Sequence, residues 1–213
     1  MGDTTLLQIA LDCTTIQEAL EISRQVENYV DILEVGTPLL KSEGRSAIVH
    51  LRNQFPNKPI FADTKTMDMG DLEARIVFEA GADIMSVCGV ASIETIEAAI
   101  DQARLLNKQI LIDLIGVHDK LQCVERLRWT KPNFIGIQTG IDEQRKGKFP
   151  YQDLEIISQA VSFPLVVAGG ISLDDIPYLM MFRPAIIVVG GFITRAKDLK
   201  AAAETIKEAI CKG

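Results

Sequence analysis

Asp63, Lys65 and Asp68 stand in an Asp-x-Lys-x-x-Asp spacing directly behind the apolar run Pro59-Ile60-Phe61-Ala62. An apolar run that ends in charges carries those charges to the end of a buried element. Desolvation there is costly, so such groups are usually paired, metal-bound or catalytic. Taken alone, the spacing fits an ordinary ion-pair cluster in a strand-to-helix loop equally well. Glu34, inside another apolar run, joins Asp63 as a hard oxygen ligand suited to Mg2+ or Mn2+. Lys65 beside them would carry a proton or stabilise charge, with the flanking carboxylates setting its pKa. A buried Glu34 paired to Lys65 with no metal is the alternative.

The elements that must position these groups repeat along the chain. Short branched runs recur at Leu7 to Leu11, Val30 to Val35, Pro59 to Ala62, Ile84 to Val87, Ile110 to Ile115, Phe134 to Ile137, Leu165 to Ala168 and Ala185 to Val189. Segments of helical spacing lie between them. Ile16, Ala19, Leu20, Ile22 and Val26 form one face, Ile93, Ile96, Ala99, Ile100, Ala103 and Leu106 another, and Ala202, Ile206 and Ile210 a third. Strands apolar on both faces belong to a parallel sheet covered on both sides. Eight strand–helix units in succession predict one (β/α)8 TIM barrel over residues 1–213, of class α/β. A doubly wound open sheet would want a Gly-rich loop after its first strand, and Asp12-Cys13-Thr14-Thr15 is not one.

Catalytic groups of such barrels sit at the C-terminal ends of the strands. Those positions hold Asp12, Glu34, then Asp63, Lys65 and Asp68 after the third run, Asp113, His118 just beyond it, and Gln138 with Thr139. Gly169-Gly170 and Gly190-Gly191 close the last two runs. Paired glycines let backbone N–H groups approach an anion, and following helix N-termini would add their dipoles, so a phosphate is expected at these four residues. Ser172 and Thr194 are candidate hydroxyl donors. Convergence of so many polar residues on one mouth favours a site over a solvated charge cluster.

Composition narrows the partners. The 213 residues carry 29 acidic and 22 basic side chains, a formal net charge of -7. That balance argues against a nucleic-acid partner but leaves room for a locally positive phosphate site. The four cysteines are scattered, without metal-ligand spacing, and are expected to be reduced thiols. No apolar run is long enough to span a membrane, and no basic-then-apolar leader opens the chain, so a cytoplasmic protein is expected.

Asp12 in Ala-Leu-Asp, Val35-Gly36-Thr37-Pro38 after Glu34, Asp63-x-Lys65-x-x-Asp68, Thr139-Gly140-x-Asp142-x-Gln144 and Ala168-Gly169-Gly170-Ile171 together resemble the orotidine 5'-phosphate decarboxylase superfamily. Within it the chain is similar to the 3-hexulose-6-phosphate synthase branch, from about Leu6 into the last helix. The resemblance implies a Mg2+-dependent aldol condensation of formaldehyde with D-ribulose 5-phosphate through an enediolate. It implies Glu34 and Asp63 as metal ligands, with Asp12, Lys65 and Asp68 around the reacting carbon. It also implies a homodimer in which Asp68 reaches into the partner's site.

Two alternatives stay open. The 3-keto-L-gulonate 6-phosphate decarboxylases share the metal site but show His-Arg-Ser-x-Asp at the sixth strand and an arginine after the final glycine. Here those places hold Gln138-Thr139-Gly140-Ile141-Asp142 and Phe192. Both branches carry a histidine where this chain has Gln138, and an amide does not exchange a proton near neutral pH. A barrel that binds a sugar phosphate without turning it over is therefore the second alternative. The working expectation gives the proton to Lys65 or Asp68, with Gln138 orienting the acceptor oxygen and His118 as a substitute by position.

Overall fold

The eight apolar runs become eight parallel strands: β1 (Leu6–Leu11), β2 (Ile32–Val35), β3 (Ile60–Thr66), β4 (Ile84–Cys88), β5 (Gln109–Asp113), β6 (Phe134–Gln138), β7 (Leu165–Ala168) and β8 (Ile186–Val189). A computed structural model describes residues 4–213. Each strand pairs with the next, and β8 pairs back to β1 with Leu6 opposite Ile186, closing a (β/α)8 barrel as expected. Helices α1 (Ile16–Val26), α2 (Thr37–Glu43), α3 (Ser46–Gln54), α4 (Gly70–Glu79), α5 (Ile93–Leu105), α6 (Lys120–Arg126), α7 (Ile141–Gln144), α8 (Tyr151–Ala160), α9 (Ile176–Met180), α10 (Gly191–Thr194) and α11 (Leu199–Lys212) fill the connections. Ser92 starts α5 by accepting from the Thr95 N–H, and Asp198 starts α11 by accepting from Ala201. The expected faces of α1 and α5 turn inward, apart from Leu106, which lies past the end of α5 and is partly exposed. None of these helices is long and apolar enough to cross a membrane.

Period-two alternation sorts every strand into an outward half, packed under the helices, and an inward half. Ile32, Ile84, Phe134 and Ile186 from the even strands, with Phe61, Leu111 and Val166 from odd ones, plug the barrel interior. Gly136 belongs to this fit, because a Cβ there would come 2.7 Å from Leu111 Cδ2. The same inward face continues toward the C-terminal mouth. Two residues past Ile32, Phe61 and Leu111 it reaches Glu34, Asp63 and Asp113, and four past Phe134 it reaches Gln138. The plug thus becomes the floor of a charged mouth.

The opposite end is tied by a repeated device. Asp31, Asp83 and Asn133 each immediately precede an even strand, and each side chain accepts the backbone N–H at the start of the strand before it. The three bonds are Leu7 N–H to Asp31 at 2.7 Å, Ile60 N–H to Asp83 at 2.9 Å and Ile110 N–H to Asn133 at 2.9 Å. Ala185 holds the fourth equivalent place and lacks the side chain to repeat the bond. Its own N–H still reaches the Leu165 carbonyl at 2.8 Å.

Candidate active site

The motif lies in a different element from the one the sequence implied. Asp63 and Lys65 are inside β3, which runs on to Thr66, and only Asp68 lies beyond it. The polar residues continue the strand because their hydroxyls replace missing ladder bonds. Thr64 Oγ1 donates to the Ser86 carbonyl at 2.6 Å, and the Lys65 N–H reaches Ser86 Oγ at 3.0 Å. Register slips between Ala62 and Thr66, and Lys65 takes a left-handed φ of 48°. A side chain there costs roughly 1 kcal/mol, and the strain turns the lysine into the mouth.

Lys65 Nζ is the hub. It donates to both Asp63 oxygens at 3.0 and 2.8 Å, to Asp113 Oδ2 at 3.1 Å and to Gln138 Oε1 at 3.2 Å. Burial alone would pull its pKa down, but Asp113 and Asp63 outweigh burial and hold it above the ordinary lysine value. The lysine therefore stays an ammonium at neutral pH. In that state it is placed to stabilise charge or donate a proton. Gln138 spends its carbonyl oxygen on orienting this ammonium.

Asp63 is further fixed by the Ser86 and Thr37 hydroxyls, each at 2.8 Å. Asp113 is only 2% exposed, accepts from the Ile115 N–H at 2.9 Å, and is pushed up by burial. Glu34 accepts from Gln8 Nε2 at 2.6 Å. Burial first, and the nearby Asp63 charge second, hold its carboxyl well above the usual range. Asp12, at the end of β1, accepts no side-chain hydrogen bond among the described residues, and burial followed by Asp63 raises its pKa. Its place demands Gly36, since a Cβ there would lie 2.3 Å from Asp12 Oδ1.

These groups line one cavity of about 850 Å³ at the C-terminal mouth, together with Gln138, Gly169, Gly170, Gly190 and Gly191. Gly169 has φ 113°, and a Cβ on it would meet the Thr139 carbonyl at 2.5 Å. The helices after the two glycine pairs are short: a 3-10 turn over Leu173–Asp175 and the four-residue α10. The expected dipole contribution is correspondingly small. Ser172 Oγ donates to Asp175 at 2.7 Å, so its proton is already used, and Thr194 does not line the cavity.

Two expected residues lie elsewhere. His118 is exposed and off the cavity, too far out to stand in for a histidine at Gln138. Asp68 is exposed and lies outside the cavity, where its Oδ1 accepts the Met69 N–H at 2.8 Å. Sequence reasoning missed Gln8, Ser86 and Arg195. Gln8 is the one polar residue in β1 and was findable as such; Ser86 sits within an apolar run, and Arg195 in the turn between α10 and α11.

The donor set fits a hard divalent cation. Glu34 is buried among carboxylates, the Lys65 ammonium serves others, and the Gln8 Oε1 beside it is buried without a partner among the described residues. No three His, Cys, Asp or Glu residues converge on one point among the described residues. The protein would thus supply Glu34 and Asp63 and leave other positions to substrate oxygens and water, the habit of Mg2+.

Comparisons with known proteins agree in kind. Residues 5–206 match the orotidine 5'-phosphate decarboxylase / HUMPS family. A 3-hexulose-6-phosphate synthase of Mycobacterium gastri is 40% identical over 204 residues, covering 96% of this chain and 99% of that one. The crystal structure of 3-hexulose-6-phosphate synthase from Salmonella typhimurium superimposes with TM-score 0.96 at 35% identity, over 98% of this chain and 99% of its own. A 3-keto-L-gulonate-6-phosphate decarboxylase from Vibrio cholerae gives TM-score 0.88 at 30% identity, with 98% of each chain covered.

Proposed function

The chain belongs to the orotidine 5'-phosphate decarboxylase / HUMPS family, and on that premise we propose that it is a 3-hexulose-6-phosphate synthase of the aldehyde-lyase class. It would join formaldehyde to D-ribulose 5-phosphate and give D-arabino-hex-3-ulose 6-phosphate. The observation that carries the reading is the Lys65 ammonium clamped between Asp63 and Asp113 on the cavity floor, beside the buried Glu34. The synthases at 40% and 35% identity support the choice of reaction, as does Phe192 after Gly191, where the decarboxylase branch has arginine.

Glu34 and Asp63 would hold Mg2+, or Mn2+, which when bound supplies positive charge for the oxygens of an enediolate. The remaining work falls to side chains. Asp12, unpartnered and raised, takes the proton from C1 of the ribulose phosphate, and the C–H electron pair enters the enediolate. Lys65 stays charged beside the developing oxyanion. C1 then bonds to the formaldehyde carbon, the C=O pair moves to oxygen, and Asp12 returns its proton there. Gln138 holds Lys65 in register and moves no proton. A homodimer accounts for Asp68, which projects between Met67 and Met69, 51% and 57% exposed. The reaction would take place in the cytoplasm.

The test is formaldehyde consumption with D-ribulose 5-phosphate, with and without EDTA. Loss of formaldehyde that EDTA stops and Mg2+ restores is the expected result. No consumption, with carbon dioxide released from 3-keto-L-gulonate 6-phosphate, would replace the synthase by its sibling. Silence in both assays would leave a sugar-phosphate-binding barrel.

A further inference from the structure

A sugar phosphate entering this cavity meets four lining carboxylates, Asp12, Glu34, Asp63 and Asp113, against three cations, Lys65, Arg145 and Arg195. Lys65 is committed, saturated by Asp63, Asp113 and Gln138, while Arg145 stands out on the rim, 75% exposed, beside the equally open Asp142 and away from the second glycine pair. Arg195 has no ion-pair or side-chain hydrogen-bond partner among the described residues. Its guanidinium lies along the second glycine pair: a Cβ placed on Gly191 would be 3.5 Å from Arg195 Cζ and Nε and 3.8 Å from Nη2. The Arg195 N–H closes the turn onto the Gly191 carbonyl at 3.2 Å, so the side chain rises from the very loop that forms the glycine wall. The four-residue α10 has too short a dipole to offset a phosphate dianion. A planar guanidinium, by contrast, matches two phosphate oxygens at once.

We propose that Arg195 is the cation that binds the substrate's phosphate and sets the preference for phosphorylated over free ketose. This rests on the reading of Gly169, Gly170, Gly190 and Gly191 as the anion wall. Arg195 stands on the glycine wall and its charge also reaches Asp12, so its loss is read first in phosphate binding without turnover.

The experiment compares wild type, Arg195→Ala, Arg195→Lys and, as a control for general surface charge, Lys197→Ala. Inorganic phosphate is titrated against each by calorimetry, without turnover. KM and kcat are then measured for D-ribulose 5-phosphate and for D-ribulose. Arg195→Ala weakens inorganic phosphate by about ten- to a hundredfold and raises KM for the phosphorylated sugar alike, the loss expected for one charged hydrogen-bonding partner. Its kcat changes far less, KM for free D-ribulose does not move, Arg195→Lys recovers part of the loss, and Lys197→Ala behaves as wild type. Phosphate affinity within twofold of wild type in Arg195→Ala overturns the proposal, even where formaldehyde is consumed. A wild-type protein that binds no inorganic phosphate overturns it together with the glycine wall. If no formaldehyde is consumed, the titration still decides the role of Arg195.

Discussion

At the opposite end of the barrel from the mouth, Asp83 accepts from Arg52, from Lys108 at 2.7 Å and from the Ile60 N–H, so one carboxylate there answers two cations. At the mouth the ratio is reversed. Asp63, Asp113 and Gln138 all claim the single Lys65 ammonium, while Glu34 and Asp12 face other carboxylates. The pKa values carry the difference. Burial opposes the Asp83 charge too, yet Lys108, the Ile60 amide and Arg52 outweigh it and hold the carboxyl below its ordinary value. At the mouth, burial wins for Glu34, Asp113 and Asp12, and their values rise. One end is charged in order to hold strands together. The other stores unbalanced negative charge that a bound cation would relieve, and strain at functional sites takes this form.

Removing the hub is the sharpest way to separate the two ends. Lys65→Ala lowers kcat by about a hundred- to thousandfold, the cost of losing a preorganised charge beside an oxyanion. Misfolding as the cause is excluded by mixing. Lys65→Ala and Asp68→Ala, each nearly inactive, regain about a quarter of wild-type activity when their subunits exchange, because half the dimers are mixed and each carries one intact site. No recovery, with exchange shown by a tagged subunit, would sink the shared site and with it the role of Asp68.

At the opposite end the same kind of change should spare chemistry. Asp83→Asn leaves kcat within about twofold, since the residue is a barrel away from the cavity. It removes a carboxylate that holds two cations. After allowance for its partial exposure this costs about 1.5 kcal/mol, which a differential scan reads as a melting point lower by about 3–6 °C. A large fall in kcat from Asp83→Asn would erase the contrast between the ends.

How much of this contrast the sequence carried depends on periodicity. Eight apolar runs were enough for eight strands and their closure, because a strand buried on both sides has few other ways to fold. Asp12, Glu34, Asp63 and Gln138 were visible as polar residues at the ends of those runs. β3 was cut short because Asp63-Thr64-Lys65-Thr66 reads as a loop; bonds to Ser86 bridge the register shift, and Thr66 pairs again with Val87. Ser86 itself hides between Met85 and Val87, where nothing but its inward parity marks it. The opposite-end residues Asp31, Asp83 and Asn133 look like ordinary turn formers until the strands are placed side by side. Asp68 is a different case: it is exposed and lies outside the cavity, and its place in the proposed site depends on the proposed homodimer.

The smallest effect, and the most direct reading of the comparison, is the pH dependence of stability without added metal. Asp83 has a folded pKa below its ordinary value of 3.8, so it contributes stability that is present above 3.8 and lost as pH falls through the lower folded value. Glu34 and Asp113 have the opposite sign. Their folded values lie above the ordinary 4.5 and 3.8, so the native state binds their protons first. Stability therefore increases as pH falls through those raised values and stops increasing once the unfolded chain is protonated as well. Acidification from neutrality should first hold or raise the melting point of the metal-free protein, then lower it sharply below about pH 4. Glu34→Gln removes part of the rise and Asp83→Asn part of the fall, each leaving the other limb in place. Saturating Mg2+ should flatten the rise alone, because a cation at Glu34 and Asp63 supplies the charge that protonation otherwise removes. A melting point that falls steadily from pH 7 in the metal-free protein, with Glu34→Gln and wild type coincident, would show that the mouth stores no such imbalance.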